Sequence, residues 1–360
     1  MYLKAVTCLG QVMHPRGIHS PMTIPLPATS EPDSPDILVI GSANADLVVR
    51  VKRRPAAGET VLGGDLTVQP GGKGANQAVA AARLGARVAF AGCVGSDAHG
   101  QLLLTSLTRA GVDISETCHL DGVPTGVALI SVTPDGDNAI IVSPGANAHV
   151  SKGDVRRALT GGGRWTARIV VVQLELPLPV VEHAVSFAAT AGSRVVLNLA
   201  PPAALPRDLL ELCDPLVLNG HEAEALLAAT AGSVNARNAP TGTRTGAVFG
   251  ATGGTTRARD TAAAVLALGP RSVVLTLGAA GAMVTWPGGS RHVAAPPVVP
   301  VDTTGAGDAL TGALAWRLAE GDGLVEAARV AVRVASTSTL LPGAQPSFPR
   351  LDAVLDPSPG

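Results

Sequence analysis

Along the chain, short runs of aliphatic and β-branched residues alternate with longer Ala/Leu-rich segments of helical period. The first run, Ile37-Leu38-Val39-Ile40-Gly41, follows a Pro-rich stretch from Pro25 to Pro35 and predicts a buried opening strand. Residues 46–51 and 60–68 predict a strand pair joined by a polar turn that contains Pro55 and Gly58. Gly71-Gly72-Lys73-Gly74 then opens a helix over 75–84 that stops at Gly85. Residues 87–93 read as a strand and 101–110 as a helix. At this point the period changes. Residues 126–133 and 138–142 flank Pro134-Asp135-Gly136-Asp137 and predict a hairpin belonging to a second sheet.

From Arg168 onward strands and helices alternate again, with strands at 169–172, 194–198, 216–218 and 272–277 and helices at 180–189, 206–212, 221–229 and 260–268. Short strands at 282–285 and 291–294 follow, and a helix at 324–336. This alternation predicts an α/β fold, a central mostly parallel sheet with helices on both faces, plus a small β-sheet. The Pro-rich, β-branched run 294–301 reads as a strand. It passes through Gly305-Ala306-Gly307 into a helix on which Ala309, Ala313, Leu314 and Leu318 recur at helical spacing. Residues 231–259 are rich in Gly, Thr, Arg and Ala without apolar period and predict a flexible surface insertion. Residues 1–36 read as a disordered leader and 351–360 as a tail, which leaves one domain over 37–350.

Composition narrows the function classes. Of the 360 residues 46% are apolar and 15% charged, and the net charge of -1 lacks the basic footprint of a nucleic-acid binder. No apolar run is long enough to span a bilayer. Aromatic residues make up only 2%, so the core has to be built from Val, Leu, Ile and Ala, as buried parallel strands usually are. Cys8, Cys93, Cys118 and Cys213 are scattered without a Cys-x-x-Cys pair, and the histidines form no ligand cluster. A reduced cytoplasmic protein is the expectation.

In open α/β sheets ligands gather beyond the carboxyl ends of strands, which directs attention to the polar residues there. Gly305-Ala306-Gly307 would let helix-start N–H groups approach an anion closely, with the helix dipole in support. Asp308 beside them is either a base or an N-terminal acid favoured by the dipole. Asn44, Asp46, Gly72, Lys73, Asn76 and Glu175 would together satisfy several vicinal hydroxyls, the demand a sugar makes. Each alone has an ordinary explanation as a turn former, a surface lysine or a solvated carboxylate. Asn219-x-x-Glu222 suits the waters of a magnesium ion and equally suits a helix cap. Neither a P-loop nor a Gly-x-Gly-x-x-Gly opening the first βα turn is present.

Taken together, these stretches resemble the ribokinase-fold family of ATP-dependent sugar kinases. The resemblance runs through Gly-Ser-Ala-Asn-Ala-Asp (41–46), Gly-Gly-Lys-Gly-Ala-Asn-Gln (71–77), Gln-Leu-Glu (173–175), Asn-x-x-Glu (219–222), Thr-Leu-Gly (276–278), Asp-Thr-Thr-Gly-Ala-Gly-Asp (302–308) and Gly-Ala-Gln-Pro-Ser (343–347). It implies that Asp308 is the catalytic base and that Gly305, Ala306 and Gly307 form the anion hole. Asn44, Ala45, Asp46, Gly72, Lys73, Gly74, Asn76 and Glu175 would then contact the sugar. Asn219, Thr276, Leu277, Gly278, Ala279 and Gly281 would lie along ATP with Gly307, and Glu222 would serve Mg2+ through water. A K+ site would use Asp302, Thr304, Ser338, Leu341, Gly343 and Ser347. The resemblance further implies a lid from about 46–70 and 120–143 that also joins two copies into a homodimer. The first, second and last motifs point to the branch that phosphorylates D-ribose at its 5-hydroxyl. Deoxyribose, a ketohexose or a nucleoside are alternative substrates, and a non-catalytic sugar or nucleotide sensor is a further alternative.

Overall fold

Four consecutive aliphatic residues form β1 (Ile37–Ile40), and none reaches solvent because strands flank it on both sides and helices cover both faces. The computed structural model describes residues 34–134, 137–161, 166–231 and 254–355. The expected leader up to residue 33, the hairpin tip Asp135-Gly136, residues 232–253 of the expected insertion and residues 356–360 lie outside these. After β1 come β2 (Asn44–Arg50), β3 (Thr67–Gly71), α1 (Lys73–Arg83), β4 (Val88–Ala91), β5 (Cys93–Gly95), α2 (Ala98–Arg109), β6 (Cys118–Leu120), β7 (Gly126–Val132), β8 (Asn138–Ser143) and α3 (Lys152–Thr160). The second half holds β9 (Ile169–Gln173), α4 (Leu178–Thr190), β10 (Arg194–Asn198), α5 (Arg207–Leu210), β11 (Cys213–Asn219), α6 (Gly220–Ala231) and α7 (Gly254–Ala267). It ends with β12 (Val273–Thr276), β13 (Ala282–Trp286), β14 (Gly289–Val293), α8 (Ala306–Ala319), α9 (Leu324–Ser338) and α10 (Leu351–Leu355).

The main sheet has the order β14-β13-β12-β11-β10-β9-β1-β4, parallel from β4 to β12 and antiparallel at β13 and β14. Successive residues of a strand face opposite sides, so Ile37 and Val39 join the core beneath α1, α8 and α9, while Leu38 and Ile40 join the core beneath α3, α4 and α7. A second sheet, β3-β2-β7-β8, stands apart, with β2 and β7 paired in parallel at its centre and Asn44 opposite Gly126. Its face away from the cleft is apolar yet uncovered: Leu129 and Ile141, opposite each other on β7 and β8, are exposed, Ile141 to 69%, while Ile140 and Val142 are exposed on the other face. Among the described residues no helix is long and apolar enough to cross a membrane.

Several elements differ from the sequence reading, each for a local reason. The strand expected over 60–68 forms only from Thr67, because Gly63-Gly64 interrupts the run before it. Residues 294–301 are irregular rather than extended into a ladder, since Pro296, Pro297 and Pro300 have no N–H to donate. Helix α7 begins at Gly254, inside the segment read as an insertion, and it buries Ala258 and Ala262. Within the expected tail, Leu351–Leu355 is helical and Val354 is buried. The strand read over 87–93 breaks after Ala91 into β4 and β5. β5 pairs with β6, so residues 118–120 belong to a separate two-stranded ladder and the small sheet resumes only at Gly126. Helix α3, absent from the sequence reading, starts with a capping box in which Ser151 and Asp154 satisfy each other's backbone N–H.

Candidate active site

Helix α8 begins where the chain must turn sharply. Gly305 has φ +76°, and a Cβ there would sit 2.7 Å from that of Ala344, so only glycine enters the helix this way. At Gly307 an added Cβ would meet nothing within 4 Å, which leaves the first turn of α8 uncovered on that side. Asp308, on the same turn, points the other way and is only 8% exposed. Its Oδ2 accepts a hydrogen bond from Asn76 Nδ2 and its Oδ1 one from Gln77 Nε2, both at 2.9 Å. Burial pushes its carboxyl above the usual range, while Lys73 and the two amides pull against that shift.

The amides that hold Asp308 are themselves held. Gln77 Nε2 also donates to Asn198 Oδ1 at 3.0 Å, and Gln77 Oε1 accepts from Gln173 Nε2 at 2.6 Å. Asn76 Oδ1 accepts from Gln345 Nε2 at 3.0 Å, and Gln345 Oε1 accepts from Ser106 Oγ at 2.6 Å. Each bond fixes which end of an amide faces Asp308. Helices α1 and α8 cross at Gly312, where a Cβ would lie 2.6 Å from Gln77 O.

The residues expected to meet a sugar surround the same point. Asn44 opens β2, and its Oδ1 accepts from Asn147 Nδ2 at 2.8 Å, while Asn147 Oδ1 accepts from Ala43 N at 3.0 Å. Asp46, one pleat further along β2, leans over Gly71, where a Cβ would come within 2.1 Å of its Oδ2. Burial pushes the Asp46 carboxyl up to about 7, helped by repulsion from Glu175 and Asp308 and opposed by Lys73. Glu175 accepts from Ser42 Oγ and, at 3.2 Å, from Lys73 N. For the Lys73 ammonium, burial works against the charge. Attraction from Asp308, Glu175, Glu222 and Asp46 outweighs it, and the pKa lies above the ordinary value. One cation therefore sits among four acids. Gly72 and Gly74 line the turn beside it, whereas Ala45 is fully buried and offers only its backbone.

Asn219 and Thr276 end adjacent strands and stand in register. Asn219 caps α6: Glu222 N donates to its Oδ1 at 2.9 Å, and Asn219 N donates to Glu222 Oε2 at 2.7 Å. Burial raises the Glu222 carboxyl even so. After Leu277, whose N–H donates to Gly281 O, the turn through Gly278 and Ala279 is exposed. Asp302 gathers two backbone donors, Thr304 N and Gly343 N, each at 2.9 Å. Burial alone would raise its carboxyl, but the bonds from Thr304 and Gly343 prevail and hold it below the usual range. Ser338 and Ser347 are buried and donate to the carbonyls of Ala335 and Ala344, and Leu341 is exposed. An open cleft of about 630 Å³ runs from Asp46 along Val48, Arg50 and Ile140 to Asp302, on the small-sheet side of Asp308.

The structure thus brings Asp308, Asn76, Lys73, Asp46, Glu175 and Glu222 into one cluster linked by hydrogen bonds and charge, and Asp302, Thr304 and Gly343 together on the cleft that Asp46 also lines. Several partners escaped the sequence reading of single residues. Gln77, Gln173 and Gln345 lie inside the quoted motifs, and their position was the available signal. Asn147 carries no local signature.

Comparison with known proteins agrees with this fold. Residues 34–351 match the pfkB family carbohydrate kinase model. The ribokinase of Haemophilus influenzae is 36% identical over 320 residues, covering 89% of this chain and 97% of that protein. The ribokinase of Schizosaccharomyces pombe is 36% identical over 324 residues, covering 88% of this chain and 95% of the relative. Among solved structures, the Arabidopsis thaliana ribokinase complexed with ribose and ATP has a TM-score of 0.73 and 31% identity, over 89% of this chain and 98% of that one. With its motifs, fold and acid-and-amide cluster all in place, this chain belongs to the pfkB family of carbohydrate kinases.

Proposed function

We propose that this protein transfers the terminal phosphoryl group of ATP to the 5-hydroxyl of D-ribose, giving ribose 5-phosphate and ADP. The observation that carries the reading is Asp308, buried at the uncovered start of α8 with both carboxylate oxygens held by α1. The choice of ribose rests on the named activity of the relatives and on Asn44 and Asp46, which suit vicinal hydroxyls.

A primary alcohol is too weak an acid to be ionised beforehand by a carboxylate. Asp308 therefore orients the hydroxyl and takes its proton late, as phosphoryl transfer proceeds through a loose transition state. The first-turn N–H groups of Gly305 and Gly307 would meet the charge that develops on the phosphoryl oxygens, the Ala306 N–H being engaged by Thr303 O at 3.2 Å in this structure, and the Lys73 ammonium would add to that field. Asn44, Asp46, Asn76 and Glu175 grip the sugar beside the backbone of Gly72 and Gly74. ATP fits the exposed turn from Thr276 to Gly281 and the open side of Gly307. Glu222 fits a water-mediated Mg2+, which when bound neutralises charge on the phosphates. Asp302, its carboxyl held below the usual range at the cleft edge beside Thr304 and Gly343, would hold a K+ together with oxygens of Ser338, Leu341 and Ser347. The small sheet acts as the lid that excludes water, and its uncovered face around Ile141 joins two copies.

The test is ATP consumption with ribose, deoxyribose, ketohexoses and nucleosides, with and without K+. Ribose supports the highest kcat/KM, and K+ raises it. A better rate with another acceptor changes the substrate and keeps the kinase. Ribose binding without any turnover removes the kinase in favour of a sensor.

A further inference from the structure

The third, two-stranded ladder lies outside the cavity just described. Its strands β5 and β6 are parallel, and their register sets Cys93 directly opposite Cys118. Neighbouring strands lie about 4.8 Å apart, inside the range of Cα separations that a disulfide spans. The two sulfurs and a carboxylate oxygen of Asp154 all lie within 4.8 Å of one another.

The two thiols have different surroundings. Cys93 is buried at 1% exposure, whereas Cys118 is partly open to solvent. Arg157 reaches across from α3: its Nη2 donates to Cys118 Sγ at 3.1 Å and its Nη1 pairs with Asp154 Oδ1 at 3.0 Å. The Cys118 thiol in turn donates to Asp154 Oδ1 at 3.2 Å. Hydrogen bonding from Cys93, with help from Arg157, outweighs burial and Asp154 and holds the Cys118 thiol below its ordinary range; the same bond and burial push Cys93 up. An accessible, cation-supported sulfur above a buried second one is the arrangement of an attacking and a resolving thiol. A metal ion is the competing occupant. The guanidinium already engages Cys118 and Asp154, two of the three groups such an ion would need, and a second cation there would be repelled.

We propose that Cys118 and Cys93 are a peroxide-responsive thiol pair that closes into a reversible disulfide at the root of the small sheet. The Cys118 thiolate attacks the O–O bond of a hydroperoxide, becoming a sulfenic acid and releasing hydroxide or alkoxide. The Cys93 thiol then attacks that sulfur; the S–S bond forms and water leaves. Two electrons pass from the sulfur pair to one hydroperoxide. From β6 the chain continues to Thr125, whose N–H and hydroxyl both donate to Asp97, and then to Gly126 opposite Asn44. The bridge therefore fastens the strand that feeds β7.

The test treats the reduced full-length protein with hydrogen peroxide, blocks remaining thiols with N-ethylmaleimide in denaturant, and maps peptides by mass spectrometry without reductant. The expected product is a Cys93–Cys118 cross-linked peptide that dithiothreitol reverses, with Cys213 still alkylated as the internal control. In Cys93→Ser, Cys118 stops at a sulfenic acid that dimedone traps. Arg157→Leu slows cross-linking several-fold while circular dichroism stays unchanged. The proposal is overturned if both thiols remain alkylatable after peroxide, if Cys213 oxidises as fast, or if the reduced protein retains one equivalent of zinc after dialysis.

Discussion

Around Asp308 the protein supplies its own partners: two amides bond the carboxylate, and further amides bond those. On β2, Asp46 is instead crowded by other acids and by burial, and its carboxyl rises to about 7. One region is finished before substrate arrives; the other is left under tension that sugar hydroxyls relieve. The contrast separates the two jobs of a kinase site. Chemistry depends on an orientation fixed in advance, whereas recognition depends on groups whose best partners come from the substrate.

The largest expected effect breaks the finished side. Asp308→Asn lowers kcat by roughly 10²- to 10⁴-fold, the usual span for loss of a general base, with ribose affinity by calorimetry retained. Near-normal turnover would remove Asp308 from the mechanism. On the unfinished side, Asp46→Ala raises KM for ribose by about 10- to 100-fold, as expected from roughly 1–3 kcal/mol for hydrogen bonds left unmade. An unchanged KM excludes that role.

A smaller effect tests whether the amides serve Asp308. Gln77→Leu costs about tenfold in kcat, the loss of one hydrogen bond to a charged group. Because that bond lowers the Asp308 pKa, the acid limb of the rate profile moves to higher pH. An unmoved limb makes Gln77 a packing residue only.

Asp46 gives a subtler handle. Its folded pKa exceeds the unfolded value of 3.8, so the native state holds the extra proton. The stability this contributes at low pH is lost as pH rises through about 7. If Asp46 accepts from ribose as proposed, ribose therefore raises Tm more above pH 7 than below it. A ribose shift that is flat with pH would dissociate Asp46 from sugar binding. The smallest effect on turnover comes from Ile141→Lys. It leaves kcat unchanged and converts a dimer to a monomer in sedimentation; a monomeric unmodified protein would end the pairing proposal.

Much of this contrast was legible in the chain. The Gly-rich stretches and Asp308 announce themselves because tight turns and close approach restrict residue choice at those points. The β-branched runs announce the parallel sheet because both of its faces are buried. Long-range partners were not legible. Asn147 reaches Asn44 only through the parallel pairing of β2 with β7, and Cys93 reaches Cys118 only through β5 and β6. Local pattern also misled at 294–301, where β-branched side chains suggested a strand that the prolines cannot join.

The missing side chain at Gly312 has a practical consequence. The backbones of α1 and α8 touch there, so Lys73, Asn76 and Gln77 ride on the same plate as Asp308. Flexing of the second sheet cannot drag the Asp308 carboxylate out of line with its amides, and neither helix has slack to accept a larger residue at the crossing. Efforts to retune which carbohydrate is accepted should therefore begin on β2 and β3, where the architecture yields.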